Sequence, residues 1–279
     1  MKQSVKLTLF VLITLALAVV PALSQANDAA NKRAEELLVK AREAIGGDTK
    51  IKAVKSLSLT GKFRRSSEFG NLSGRIEFDF LSPDKFINTE KLELAVGTIT
   101  VVSGMSGETV WQNTSSSSEN ITFAGFTQKD INDRKPALRR AAARWILDLL
   151  LRTAGWSSLE VAYAGEARDG EARVNLIDVK GTDGFNARLF LDKTTNRLKM
   201  MSYTEKASGS NTAKAVQDAN GTSSPDKVRV RFADYRAIDG IQLPHRIIIQ
   251  SGKSDIEERE LTEIRLDIPL SPEIFKEKA

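Results

Sequence analysis

The sequence predicts a mainly β protein, α+β by content. The expected form is a strongly curved antiparallel half-barrel of about eleven strands, with a helix in front and a central lid or plug helix. Three observations predict it. Residues 228–249 alternate apolar and polar on both sides of Asp239-Gly240, where glycine supplies the positive φ of a tight hairpin turn. Leu72 to Phe80 alternates in the same way, with Ile76, Phe78 and Phe80 opposed to Arg75, Glu77 and Asp79. Helical spacing of apolar residues occurs convincingly only at 31–45 and 138–153. A one-sided meander of this length has to curl to bury its apolar face.

The elements follow in order. Lys2 and Lys6 precede an uncharged run from Leu7 to Val20, and Ser24-Gln25-Ala26 places small residues at a cleavage position. Residues 1–26 therefore read as a secretory signal peptide. The run is shorter than the roughly 20 residues of a membrane span. Residues 27–279 then form a single domain. In the first helix Ala34, Leu37, Leu38, Ala41 and Ile45 make the apolar stripe, and Gly46-Gly47 ends it. Strands are expected at 57–63, 72–80, 85–94, 99–102 and 107–111, with a turn at Ser82-Pro83-Asp84. The serine cluster 114–118 reads as a loop, and the charged stretch 127–137 as irregular up to Pro136. The second helix shows a broad face of Leu138, Ala142, Trp145, Ile146, Leu149 and Leu150, closed by Gly155. Strands resume at 159–164, 172–179, 185–192 and 198–204. Residues 206–225, rich in Ala, Ser, Gly and Asn, read as a flexible insertion before the 228–249 hairpin. Pro244 is expected at an edge or a bulge, because proline cannot donate to a ladder. A last strand spans 256–268.

Composition excludes several classes. The net charge is +5, falling to +3 without Lys2 and Lys6, and the basic residues are dispersed, so no nucleic-acid footprint is expected. The chain has no cysteine. An exported protein without a disulfide framework points to a bacterial periplasm. With one histidine, His245, a zinc site is not expected. His245 reads as a surface strand residue rather than a general base. Asp130 and Asp133 lack the spacing of a calcium loop. Ser82-x-x-Lys85 and Ser224-x-x-Lys227 lie in proline turns rather than at helix starts, so neither reads as a nucleophile pair. No catalytic constellation, metal or cofactor is expected, and the chain reads as a non-enzyme. The remaining resource is apolar surface. Phe63, Ile76, Phe78, Phe80, Trp111, Trp145, Ile146 and Leu149 are the candidate lining of a cavity between the inner sheet face and the second helix, the usual concave form of a ligand site.

Four passages resemble the LolA-like periplasmic carriers known as outer membrane lipoprotein-sorting proteins. They are Phe78 to Phe86 (FDFLSPDKF), Val102 to Trp111 (VSGMSGETVW), the helix around Arg140–Leu151, and Leu191 to Leu198 (LDKTTNRL). The resemblance implies an open half-barrel with helices as its lid, holding lipoprotein or other lipid acyl chains. It implies a periplasmic monomer served by a delivery partner at the inner or outer membrane. Such carriers have an arginine just before the proline of the first passage, here Pro83, that helps fasten the lid; in this chain the position is Ser82. The alternative from another class is an envelope regulatory or structural module that binds a protein partner.

Overall fold

The computed structural model describes residues 27–277 except 68–69, 120, 124–125, 206–225 and 253–254. The expected signal peptide 1–26 and the expected insertion 206–225 lie outside the described residues. Helix α1 (27–45) and the short α2 (Asp48–Ala53) precede strands β1 (Ser56–Ser67), β2 (Gly70–Leu81), β3 (Lys85–Leu94), β4 (Gly97–Ser106) and β5 (Thr109–Ser116). Helix α3 (Gln128–Leu150) follows. The chain then continues through β6 (Leu159–Asp169), β7 (Ala172–Gly181), β8 (Asn186–Asp192), β9 (Leu198–Glu205), β10 (Asp226–Ile238), β11 (Ile241–Ser251) and β12 (Asp255–Leu266).

All twelve strands form one antiparallel sheet in the order β5-β4-β3-β2-β1-β12-β11-β10-β9-β8-β7-β6, one strand more than the expected count. The sheet does not close, and it is a curved half-barrel. The first and last strands meet in its middle, pairing Leu57 with Leu266. The edges β5 and β6 are consecutive in the chain, so the link between them has to span the open side. That link carries α3. The expected hairpin is present: Ile238 pairs with Ile241 across Asp239 (φ 49°) and Gly240 (φ 78°), both positive as a two-residue hairpin turn requires.

The core follows the strand alternation. Leu57, Leu59 and Phe63 of β1, Ile76, Phe78 and Phe80 of β2, and Leu261, Ile264 and Leu266 of β12 are buried on one face. The five stripe residues of α1 are buried against the same core.

Four expectations are corrected. Helix α3 begins at residue 128, not after Pro136. Thr127 caps it by accepting from the Asp130 main-chain N–H at 3.2 Å, while Asp130 Oδ2 accepts from the Thr127 N–H at 2.9 Å. This reciprocal capping box satisfies two N–H groups that a helix start leaves over. It outweighs the charge of the segment and the main-chain donor missing at Pro136. The helix ends at Leu151 in the left-handed conformation (φ 48°) rather than at Gly155. Gly155 instead packs on Pro83, where a Cβ would come within 2.4 Å of the proline ring. Thr114 to Ser116 continue β5, pairing Thr114 with Val101 and Ser116 with Ile99. Finally, His245 is buried. It is in phase with Ile241, Leu243 and Ile247 on the inner face, and its Nδ1 lies 3.0 Å from the Leu243 carbonyl oxygen. Pro244 fits an interior strand because the β11–β12 ladder covers only Arg246 to Ser251.

Candidate binding cavity

Helix α3 lies across the concave face. The Trp145 ring stacks on Phe78 of β2, with centroids 5.5 Å apart and 25° between planes. Phe86 of β3 is 6.4 Å from Phe78 on the same floor. Beside this stack the helix and sheet leave a cavity of about 270 Å³. Its floor is apolar, made by Phe78, Phe86, Met201, Val230, Ile247 and Ile249 from five strands. Helix α3 contributes Leu138, Ala141, Ala142 and Trp145 to its roof, and the two alanines are short enough to leave the space open.

One wall is polar, with Asn88, Glu90, Ser103, Arg144, Asp148, Tyr203 and Arg259. Arg259 lies over the Trp145 ring at 5.0 Å and pairs with Glu257, which also pairs with Arg65. Glu90 lies 3.9 Å from Arg65 and 4.0 Å from Arg259, so these four groups form one network. Burial pushes the Glu257 carboxyl up, but Arg259 and Arg65 overcome this and hold it below the usual carboxylate range. Arg144 lies over the Tyr203 ring at 3.7 Å. Asp148 differs: burial pushes its carboxyl up to about 8, and the charges of Arg144 and Arg259 offset this only in part. Among the described residues the Asp148 Oδ1 is buried without a hydrogen-bond partner.

The eight candidate lining residues are all buried, but they do not all converge. Phe78 and Trp145 line the cavity. Ile76, Phe80, Ile146 and Leu149 sit in the filled core. Phe63 packs on Gly74 and lines a different, open recess. Trp111 belongs to the opposite face of the sheet from Val110, which joins the core. Its indole Nε1 donates to the Phe275 carbonyl oxygen at 3.1 Å, and a turn at Pro272–Phe275 covers it. Sequence reasoning missed Phe86, Met201, Val230, Ile247 and Ile249 of the floor. Their alternation was visible, but which strands face α3 depends on sheet order. It missed the polar wall altogether. Two larger recesses, of about 340 and 450 Å³, lie along the β1–β2 hairpin and share Arg64 and Glu258 in their rims. Their walls are mostly polar and charged, and Phe63 is the single aromatic residue among those lining them.

In comparisons with known proteins, no family model and no curated protein matches the sequence. Solved structures do match the fold. A LolA superfamily protein from Nitrosomonas europaea superposes with a TM-score of 0.53 at 14% identity, covering 88% of this chain and 97% of that one. A DUF1329 family protein from Desulfovibrio piger superposes with a TM-score of 0.50 at 11% identity, covering 88% and 97%. The chain has the LolA-like fold.

Proposed function

We propose that this protein is a periplasmic carrier or binding protein for acyl-chain cargo, such as the lipid chains of a lipoprotein. The observation that carries the reading is the cavity under α3, with an aromatic and aliphatic floor drawn from five strands. Apolar burial would supply the affinity, at about 25 cal/mol per Å² of surface removed from water. Phe78 and Trp145 are the two expected site residues that would touch the chain; Phe86, Ile247 and Ile249 join them. The LolA-like fold supports the reading at the level of architecture. A single folded unit after residue 26 and export through the leader 1–26 complete the proposal. Among the described residues no helix is long and apolar enough to cross a membrane. Cargo with several chains would exceed the present cavity, so loading would require α3 to move away from the sheet.

The test is native mass spectrometry of the whole protein, expressed in a bacterial periplasm and purified without detergent. Adducts that extract as phospholipid or acylated peptide are expected. A clean apo mass, with no uptake of an added fluorescent lipid, would overturn the carrier reading in favour of a protein-binding envelope module.

A further inference from the structure

Helix α3 is tied down in its middle and at its end, and this decides what the cavity beneath it accepts. We infer, resting on the acyl-binding reading above, that α3 is a fixed roof and that the cavity takes one chain of medium length, with Ala142 setting its bore.

Three observations support this, and the first is the set of ties. Arg139 of α3 lies 3.3 Å from Glu108 in the β4–β5 turn and 3.0 Å from Asp183 in the β7–β8 turn, so one side chain reaches both sides of the open sheet. It also donates to the Trp156 carbonyl oxygen at 3.1 Å, and Arg140 donates to the Asp183 carbonyl oxygen at 2.7 Å. Where α3 ends, Arg42 of α1 donates to the Leu151 carbonyl oxygen at 3.0 Å. Just beyond, Arg152 donates to the Lys52 carbonyl oxygen at 3.1 Å, and the Gly155 N–H donates to the Pro83 carbonyl oxygen at 2.9 Å. Glu108 is exposed, so its pair with Arg139 contributes little. The Arg42 bond is buried and the bonds from Arg139 and Arg140 to main-chain carbonyls are partly so. Lifting α3 would strand these donors and acceptors, which costs far more than an exposed pair.

The second is the volume, about 270 Å³ with the helix seated. A methylene takes about the room of a water molecule, roughly 30 Å³ in the liquid, so the cavity holds about nine carbons of one chain and leaves no place for a second. The third is the roof itself. Ala142 is 2% exposed and lines the cavity one turn before Trp145, opposite a floor that includes Phe78, Met201 and Val230. A longer side chain there would occupy the space that the alanine leaves. Ala141 also lines the cavity but is exposed, which places the mouth beside it. A chain longer than the cavity passes out at Ala141 into water and buries no further carbon. Affinity should therefore climb about fourfold with each methylene until the cavity is full, and then flatten.

The experiment displaces an uncharged naphthylamine fluorophore with hexanol, octanol, decanol, dodecanol or tetradecanol. Affinity should rise about fourfold per carbon up to about nine carbons and stay nearly constant to tetradecanol. Ala142→Leu should bring the break about three carbons earlier, and Ile249→Ala, which trims a half-buried lining residue, should move it about three carbons later. Opposite shifts of this kind do not follow from lost stability, and where Ala142→Leu fails to fold, Ile249→Ala alone carries the test. The chain has no cysteine, so Glu108→Cys with Lys135→Cys, bridged by a bismaleimide, locks α3 to the sheet at one place. Octanol should bind the locked and unlocked proteins equally. Loss of binding on locking, or a steady gain through tetradecanol, would overturn the fixed roof while leaving the acyl reading intact. A break that neither variant moves would overturn the role of Ala142. Binding of no alcohol would overturn both readings.

Discussion

Phe78 of β2 and Trp145 of α3 lie face to face at 5.5 Å, and this stack joins the floor of the cavity to its cover. Trp145 also carries Arg259 over its ring at 5.0 Å, so one side chain couples the apolar floor to the charged wall. Trp145→Ala should therefore destabilise the fold by about 3–5 kcal/mol. It should also loosen α3 selectively, seen as faster amide exchange in 138–150 than in β1 or β12. Uniform exchange along the chain would show that the stack is ordinary core and not the fastening of a cover.

Phe80 provides the control for Phe78. Both are fully buried on the same face of β2, but only Phe78 lines the cavity. Phe78→Leu and Phe80→Leu should lose similar stability, about 1–3 kcal/mol each. Only Phe78→Leu should change the affinity for a fluorescent acyl probe, by several-fold. Equal changes in affinity would remove Phe78 from the site.

What the sequence made legible was whatever depends on a short period. The alternation of β2 and the Asp239-Gly240 turn both have local causes, and both are present. The start of α3 was equally local, since Thr127 and Asp130 form the capping box, but the surrounding charge concealed it. His245 was misjudged by residue type, although its phase with Leu243 and Ile247 places it inside. The polar wall had no local signature. Glu90, Asp148 and Arg259 come from β3, α3 and β12 and meet only because β12 returns to pair with β1.

The cap itself makes a prediction. Thr127→Ala removes the side-chain acceptor for the Asp130 N–H and should cost about 1 kcal/mol. The loss should appear as faster amide exchange in the first turn of α3, with the 142–150 segment unchanged. Protection lost along the whole helix would mean that α3 is held from its start rather than by Trp145.

On the outer face, Phe275 is fully buried beside Trp111, whose indole donates to the Phe275 carbonyl. Phe275→Ala leaves the carbonyl but removes the ring, and should cost about 3–5 kcal/mol. Tryptophan emission should shift to the red as water reaches Trp111. Acyl binding should persist, because Trp111 faces away from the cavity. Loss of binding with the fold intact would show that the two faces are coupled.

Asp148 gives the pH dependence of stability a definite sign. In the unfolded chain its carboxyl titrates near 3.8, while burial in the folded protein pushes it up to about 8. Between these values the folded state holds a proton that the unfolded state has released. The Asp148 contribution to stability is therefore fully present below about pH 4 and declines as pH rises towards 8. Asp148→Asn, which cannot ionise, should remove this decline. Urea titrations of both proteins at pH 6 and pH 8.5 measure it: the wild type should lose more stability than the variant over that interval. Parallel losses would mean that Asp148 is already ionised at pH 6, held by Arg144 and Arg259 as a conventional ion pair.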